Sequence, residues 1–142
     1  MEKPKQHERK STLFLGEAMI ELLSPILPTY PIIAEQTATF PFAVYRRAAQ
    51  SFGDTKDVFN HVETANFEVV IADSGYSRGV ALAARVKETL EHRRGWVAGF
   101  PVASITVTTA NEDWAADAYV QRLNIIVEID TSVWHCRGDI AE

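Results

Sequence analysis

The chain has 142 residues, a net charge of −5 and 46% hydrophobic residues. This length suits one domain with one core, and the negative charge excludes an overall basic surface for nucleic acid. The single cysteine, Cys136, excludes an intramolecular disulfide, and the sequence has no run of about 18 apolar residues that would cross a membrane. We therefore expect a protein of cytoplasm-like conditions that binds neither membranes nor specific nucleic-acid sequences.

The two ends of the chain differ in character from the part between them. Residues 1–10 carry six charges, which predicts a disordered N-terminal tail. Residues 11–131 contain the apolar patterning of a single domain, and residues 132–142 form a polar C-terminal tail. The prediction is therefore one domain between two short tails.

The domain begins with an amphipathic helix. Ser11 or Thr12 is suited to cap its start, and Pro25 and Pro28 end it because proline lacks the amide that the next turn requires. The apolar residues that fall at helical spacing are Leu15, Ala18, Met19, Leu22, Leu23 and Ile26. This stripe predicts a surface helix lying against a core.

Two strands are predicted after this helix, preceded by a short extended piece at residues 32–35. Residues 40–48 favour a pleated surface, and residues 58–73 form a longer strand. Val62 is out of phase with Phe67, so we expect a bulge between them. The polar segment between the strands, residues 53–62, predicts a projecting β-hairpin.

A second helix follows, with Asp73 or Ser74 as its cap and Gly95 as its stop. Its predicted buried stripe consists of Gly79, Leu82, Ala83, Val86 and Leu90. Two alternating strands, residues 102–109 and 119–129, finish the domain and flank an acidic connector at residues 111–117. The order of elements predicts an α+β fold, a mainly antiparallel sheet with two helices packed on it.

The acidic residues allow one catalytic hypothesis, a small metal-dependent nuclease that holds Mg²⁺. Its carboxylates would be Asp73, Glu112, Asp113 and Asp117. Such a nuclease needs a nearby lysine, and the sequence has none after Lys87. A solvated acidic loop is the better interpretation, so we predict no catalytic residue, metal or cofactor.

The order of features resembles the tail-terminator, or tail-to-head joining, family of long-tailed phages and prophages, many of whose members are known only as a domain of unknown function. The resemblance covers about residues 13–130. The segments that carry it are, in chain order, Leu22-Leu23-Ser24-Pro25, Tyr30-Pro31, Phe40-Pro41-Phe42-Ala43-Val44-Tyr45-Arg46-Arg47, Thr55-Lys56-Asp57, Phe67-Glu68-Val69-Val70-Ile71-Ala72, the predicted helix at residues 80–91 with Gly95 after it, Asn111-Glu112-Asp113-Trp114 and Ala118-Tyr119.

This resemblance implies a structural protein and not an enzyme, because the family has no known catalytic residues. It implies a homohexameric ring that caps the tail tube, stops its polymerisation and contacts the head–tail connector. The expected location is the virion tail, with the host cytoplasm as the site of assembly. A generic adaptor that binds its partner by strand addition is an alternative that the sequence does not separate from it.

A ring subunit needs surfaces for its neighbours, and aromatic residues are enriched in the cores of such interfaces. The predicted subunit or partner contacts are Tyr45, Arg46, Arg47, Lys56, Phe59, Trp114 and Tyr119. Trp114 is equally consistent with a residue that caps the core. The pairs Arg46-Arg47 and Arg93-Arg94 are each suited to meet acidic residues of a neighbouring subunit or to be solvated.

Overall fold

The structure is a computed structural model that describes residues 11–52 and 62–133. Within these ranges a short 3-10 helix (Thr12–Phe14) precedes two α-helices and six strands. In chain order the elements are α1 (Gly16–Leu23), β1 (Thr29–Pro31), β2 (Phe42–Ser51), β3 (Val62–Asp73), α2 (Tyr76–Leu90), β4 (Gly95–Val97), β5 (Phe100–Ala115) and β6 (Ala118–Asp130).

The six strands form one sheet in the order β1-β2-β3-β6-β5-β4. All neighbouring pairs are antiparallel except β1 and β2, which are parallel. Both helices pack on one face of this sheet and enclose a single core, whose largest buried side chains include Phe67, Phe100 and Met19. The predicted α+β class, with two helices on a mainly antiparallel sheet, is confirmed.

The first helix begins as a 3-10 turn. The Ser11 hydroxyl accepts a hydrogen bond from the Leu13 amide at 3.2 Å, which caps this turn. The α-helix proper starts at Gly16 and ends before Pro25. Five of the six predicted apolar residues are buried, namely Leu15, Ala18, Met19, Leu22 and Leu23, whereas Ile26 lies beyond the end of the helix and is half-buried.

The second helix also buries its predicted stripe, with Leu82 half-buried and the other members buried. Its predicted cap is wrong. Gly75 occupies the N-cap position and no side chain caps the helix. The reason is that Asp73 still belongs to β3, and the Arg78 side chain occupies its carboxylate.

The predicted bulge lies on a different strand from the one expected. In β3, Ala65, Phe67, Val69 and Ile71 alternate without interruption, and Val62 simply lies on the opposite, exposed face. The irregularity is in β2, where the register with β3 shifts around Ala48. The bulge therefore changes the register of β2, and the side chains of β3 alternate between the two faces of the sheet without interruption.

The extended piece predicted at residues 32–35 is also misplaced. The strand in this region is β1, which lies just before the predicted piece and ends at Pro31. Ile32 has a positive φ of 66°, which turns the chain away from the strand direction. Strand β4 was not predicted. It joins β5 through Ala98 and Gly99, which both have positive φ and form a tight turn.

The predicted acidic connector at residues 111–117 is in fact the end of a strand, residues 111–115, followed by a two-residue turn. Strand β5 continues to Ala115 and β6 begins at Ala118. Ala116 and Asp117 have φ values of 53° and 62°, which match the two-residue type I′ turn of a β-hairpin. The hairpin predicted at residues 53–62 falls almost wholly on residues 53–61, which lie outside the described ranges.

Candidate interaction surface

The outer half of the β5–β6 hairpin carries a cluster of exposed aromatic side chains. Trp114 and Tyr119 are cross-strand partners, and their ring centroids lie 4.9 Å apart at 73°. Tyr76, the first residue of α2, packs edge-on against Tyr119 at 5.4 Å. Trp114 is 55% exposed and Tyr76 is 45% exposed. The edge-to-face geometry holds the three rings in fixed positions while leaving much of their surface in solvent.

Glu112 lies on the same face as these rings, because antiparallel partners point to the same side and Glu112 pairs with Gln121. The Tyr76 hydroxyl donates to the two Glu112 carboxylate oxygens at 2.9 and 3.1 Å, and Gln121 Nε2 donates at 3.1 Å. Hydrogen bonding to Glu112 raises the pKa of the Tyr76 hydroxyl. Tyr76 therefore remains a neutral hydrogen-bond donor. Gln121 is neutral too, so neither of these partners compensates the negative charge of Glu112.

The turn beside these residues adds another negative charge. Asp117 is exposed and makes no ion pair with any cation in the described ranges. Asp113, by contrast, lies near Arg122, with 3.7 Å between the carboxylate and the guanidinium. We call the surface formed by Tyr76, Glu112, Trp114, Asp117 and Tyr119 the aromatic–acidic patch.

An ion pair under this patch fixes the junction of β3 and α2. Arg78 donates from Nε and from its terminal NH2 group to the two Asp73 oxygens, each at 2.6 Å. The Asp73 side chain has no exposed surface, whereas that of Arg78 is 58% exposed. These hydrogen bonds hold the pKa of Asp73 below its usual value against the opposing effect of burial. The pair positions Tyr76, which lies between the two residues.

The four carboxylates of the nuclease hypothesis have separate environments. Asp73 binds Arg78, Glu112 binds Tyr76 and Gln121, and Asp113 lies beside Arg122. In residues 11–52 and 62–133, no three His, Cys, Asp or Glu side chains form a group that could hold a metal ion. The structure therefore gives this hypothesis no support.

The predicted contacts on β2 are held by residues of the same chain. Tyr45 is half-buried against Phe67, and burial raises the pKa of its hydroxyl, with a further contribution from the charge of Glu17. Arg46 lies on the opposite face, 3.5 Å from Glu68.

Arg47 donates to the Leu13 carbonyl oxygen at 2.8 Å and so ties β2 to the start of the domain. Of the two other predicted contacts, Lys56 and Phe59 lie outside the described residues. Of the predicted contacts that lie in the described ranges, the structure brings Trp114 and Tyr119 together in the aromatic–acidic patch.

Sequence reasoning missed Tyr76 and Glu112 as members of this patch. The signal that was available is the spacing of Glu112, Trp114, Tyr119 and Gln121 around Ala116-Asp117, which is symmetric about a two-residue turn. Reading this segment as a hairpin places all four side chains on one face.

A second exposed apolar region follows β1. Ile32 is 65% exposed and Ile33 is 76% exposed. Nearby in the fold, Phe40 stacks on Phe42 with ring centroids 5.5 Å apart, and Tyr30 meets Phe42 at 6.1 Å. Exposed apolar clusters of this kind are typical of contact surfaces between proteins. No helix in the described residues is long and apolar enough to span a membrane.

These features define an α+β protein with an exposed aromatic–acidic surface beside an ion pair whose carboxylate is buried. No protein-family model matches its sequence, and no curated protein matches it. Among solved structures, the fold is similar to a chain in the virion of a native gene transfer agent (GTA) particle, with a TM-score of 0.56 and 12% identity. The match covers 80% of this chain and 90% of that chain, so nearly the whole domain shares the fold.

Proposed function

We propose that this chain is a structural subunit of a phage or phage-like virion. The observation that carries the proposal is the shared fold, which extends over 90% of a chain from a GTA virion. Because the match covers 80% of this chain and 90% of the other, the two chains are alike over most of their length and not in an isolated motif. The resemblance of the sequence to tail-terminator proteins points independently in the same direction.

The specific role that we propose is that of a tail terminator. Six copies form a ring that caps the tail tube, stops its growth and contacts the head–tail connector. A ring requires two different surfaces on each copy, since each subunit meets its neighbours head to tail. The aromatic–acidic patch and the apolar region after β1 both contain exposed side chains that are available for such contacts.

In this role the protein works through binding and needs no chemical step. Two ionisable side chains of the patch, Tyr76 and Glu112, are joined by a hydrogen bond that positions them. The exposed aromatic rings provide contact area at low cost in conformational entropy, because each ring has only two side-chain torsions to fix.

The role predicts a particular defect when the gene is removed from a strain that produces the particles. Electron microscopy of the products should show tails of uncontrolled length and heads without attached tails, and the wild-type gene supplied in trans should restore normal particles. Tails of normal length joined to heads in the deletion strain would contradict the proposal.

A further inference from the structure

The basic counterpart of the aromatic–acidic patch lies after the other end of α2. Arg93 and Arg94 are exposed and form no ion pair or side-chain hydrogen bond with any residue in the described ranges. Among the other described arginines, Arg78 binds Asp73 and Arg122 lies near Asp113, whereas Arg85 is also without a described partner. The arginine pair, Arg93-Arg94, therefore consists of two consecutive, exposed arginines without a partner in the described ranges.

The arginine pair and the patch cannot meet within one copy. Tyr76 is the first residue of α2, and Arg93 follows the last, Leu90, by three positions. A helix rises by 1.5 Å per residue, so the two surfaces are separated by about 20 Å along the helix axis. Complementary surfaces at opposite ends of one element are suited to a head-to-tail contact between copies.

We propose that the arginine pair of one copy docks on the aromatic–acidic patch of the next copy. Its guanidinium groups stack on the exposed rings of Trp114 and Tyr119 and bind the carboxylates of Glu112 and Asp117. Arginine is suited to both contacts, because its planar group lies flat on an aromatic face and binds carboxylates with two parallel hydrogen bonds.

The charges on the two surfaces support this pairing. The Glu112 carboxylate is held in place by the neutral hydroxyl of Tyr76 and the neutral amide of Gln121, so it is oriented without being neutralised. Asp117 adds a second negative charge at the turn. Two negative charges thus face two positive charges, and the rings exclude water around them, which strengthens each ionic contact.

This inference rests on the proposed ring and names the contact that closes it. The test uses single charge reversals in the full chain, Arg93→Glu and Arg94→Glu. The matched control is Arg85→Glu, because Arg85 is an exposed α2 arginine that also lacks a described partner. Light scattering over a concentration series should show at least tenfold weaker association between copies for Arg93→Glu and for Arg94→Glu. Arg85→Glu should change the association little.

A charge swap then tests whether the contact is direct. Glu112→Lys alone should weaken association, and the combination Arg94→Glu with Glu112→Lys should restore it, because the ion pair is re-formed with its polarity reversed. Thermal unfolding of every variant monitors folding. Failure of the swap to restore assembly overturns the inference.

The remaining outcomes separate this inference from the proposed function. Rings that form equally well in Arg93→Glu, Arg94→Glu and Arg85→Glu overturn the arginine contact and leave the ring role intact. A wild-type chain that stays monomeric, alone and with the tail-tube protein, overturns both.

Discussion

Arg78 donates two hydrogen bonds of 2.6 Å to the buried carboxylate of Asp73, although these residues belong to different elements. Asp73 ends β3, and Arg78 lies in the first turn of α2. The pair therefore fixes the angle at which the helix leaves the sheet. Because Tyr76 lies between them, the same pair sets the position of the aromatic–acidic patch.

Replacing Asp73 with Asn should lower the free energy of unfolding by about 1.5–3 kcal/mol, since the hydrogen bonds lost involve charged groups. Chemical denaturation measures this directly. Ser74→Ala is the control, because Ser74 is exposed and adjacent, and it should change stability by less than about 0.5 kcal/mol. Equal effects of the two substitutions would show that the ion pair does not stabilise the fold.

The same pair predicts a loss of stability in acid. The folded-state pKa of Asp73 is lowered by its hydrogen bonds with Arg78, whereas the unfolded chain has the ordinary value of about 3.9. The stabilisation is therefore complete above that value and is lost as the pH falls through the lower folded-state pKa. The difference in unfolding free energy between wild type and Asp73→Asn should shrink from pH 5 to the most acidic pH at which the fold persists. A constant difference would contradict this assignment.

The start of the domain depends on the hydroxyl of Thr12, which is buried. It donates to the Glu63 carboxylate and accepts from Gln50 Nε2 at 2.9 Å. Thr12→Val keeps the shape but removes the hydrogen bond to Glu63 and leaves Gln50 Nε2 with only its hydrogen bond to the Thr12 carbonyl oxygen at 3.3 Å, so we expect a loss of about 1–3 kcal/mol in unfolding free energy. Thr12→Ser keeps the hydroxyl and should therefore lower the unfolding free energy clearly less than Thr12→Val does. If the two variants are equally stable, these hydrogen bonds do not stabilise the start of the domain.

The β5–β6 turn stores strain that a substitution can relieve. Ala116 has a φ of 53°, a region that asparagine tolerates better than alanine. Ala116→Asn should therefore raise the free energy of unfolding by about 0.5–1 kcal/mol. The neighbouring exposed strand residue Ala115 is the control, and Ala115→Asn should give no gain. A gain at residue 115 and none at residue 116 would contradict the turn geometry.

Much of the fold could be predicted because its apolar residues have clear periodicity. Apolar residues recur at helical spacing in α1 and α2, and in β6 they alternate with polar ones, as at Leu123, Ile125 and Val127. These spacings indicate which side of each element faces the core. Turns were harder to predict, since Ala116-Asp117 contains neither the glycine nor the asparagine that usually marks positive φ. The sequence of the outer half of the hairpin therefore predicts a connector where the structure has strand.

The patch was only half predictable for a related reason. Trp114 and Tyr119 are close in sequence, and their aromatic side chains predict an interface. Tyr76 is 43 positions away from Tyr119 in the chain. Only the β3–α2 junction, fixed by Asp73 and Arg78, brings these rings to within 5.4 Å. Contacts between elements so distant in sequence depend on packing, and a periodicity within one element carries no information about them.

The most direct test of the central claim is the mass of the purified chain, measured by light scattering across a concentration series with and without the tail-tube protein. The account predicts a closed ring of six 15.9 kDa chains, about 95 kDa, with a central opening visible by electron microscopy. A chain that remains a 15.9 kDa monomer at every concentration, and does not bind the tube protein, would contradict it.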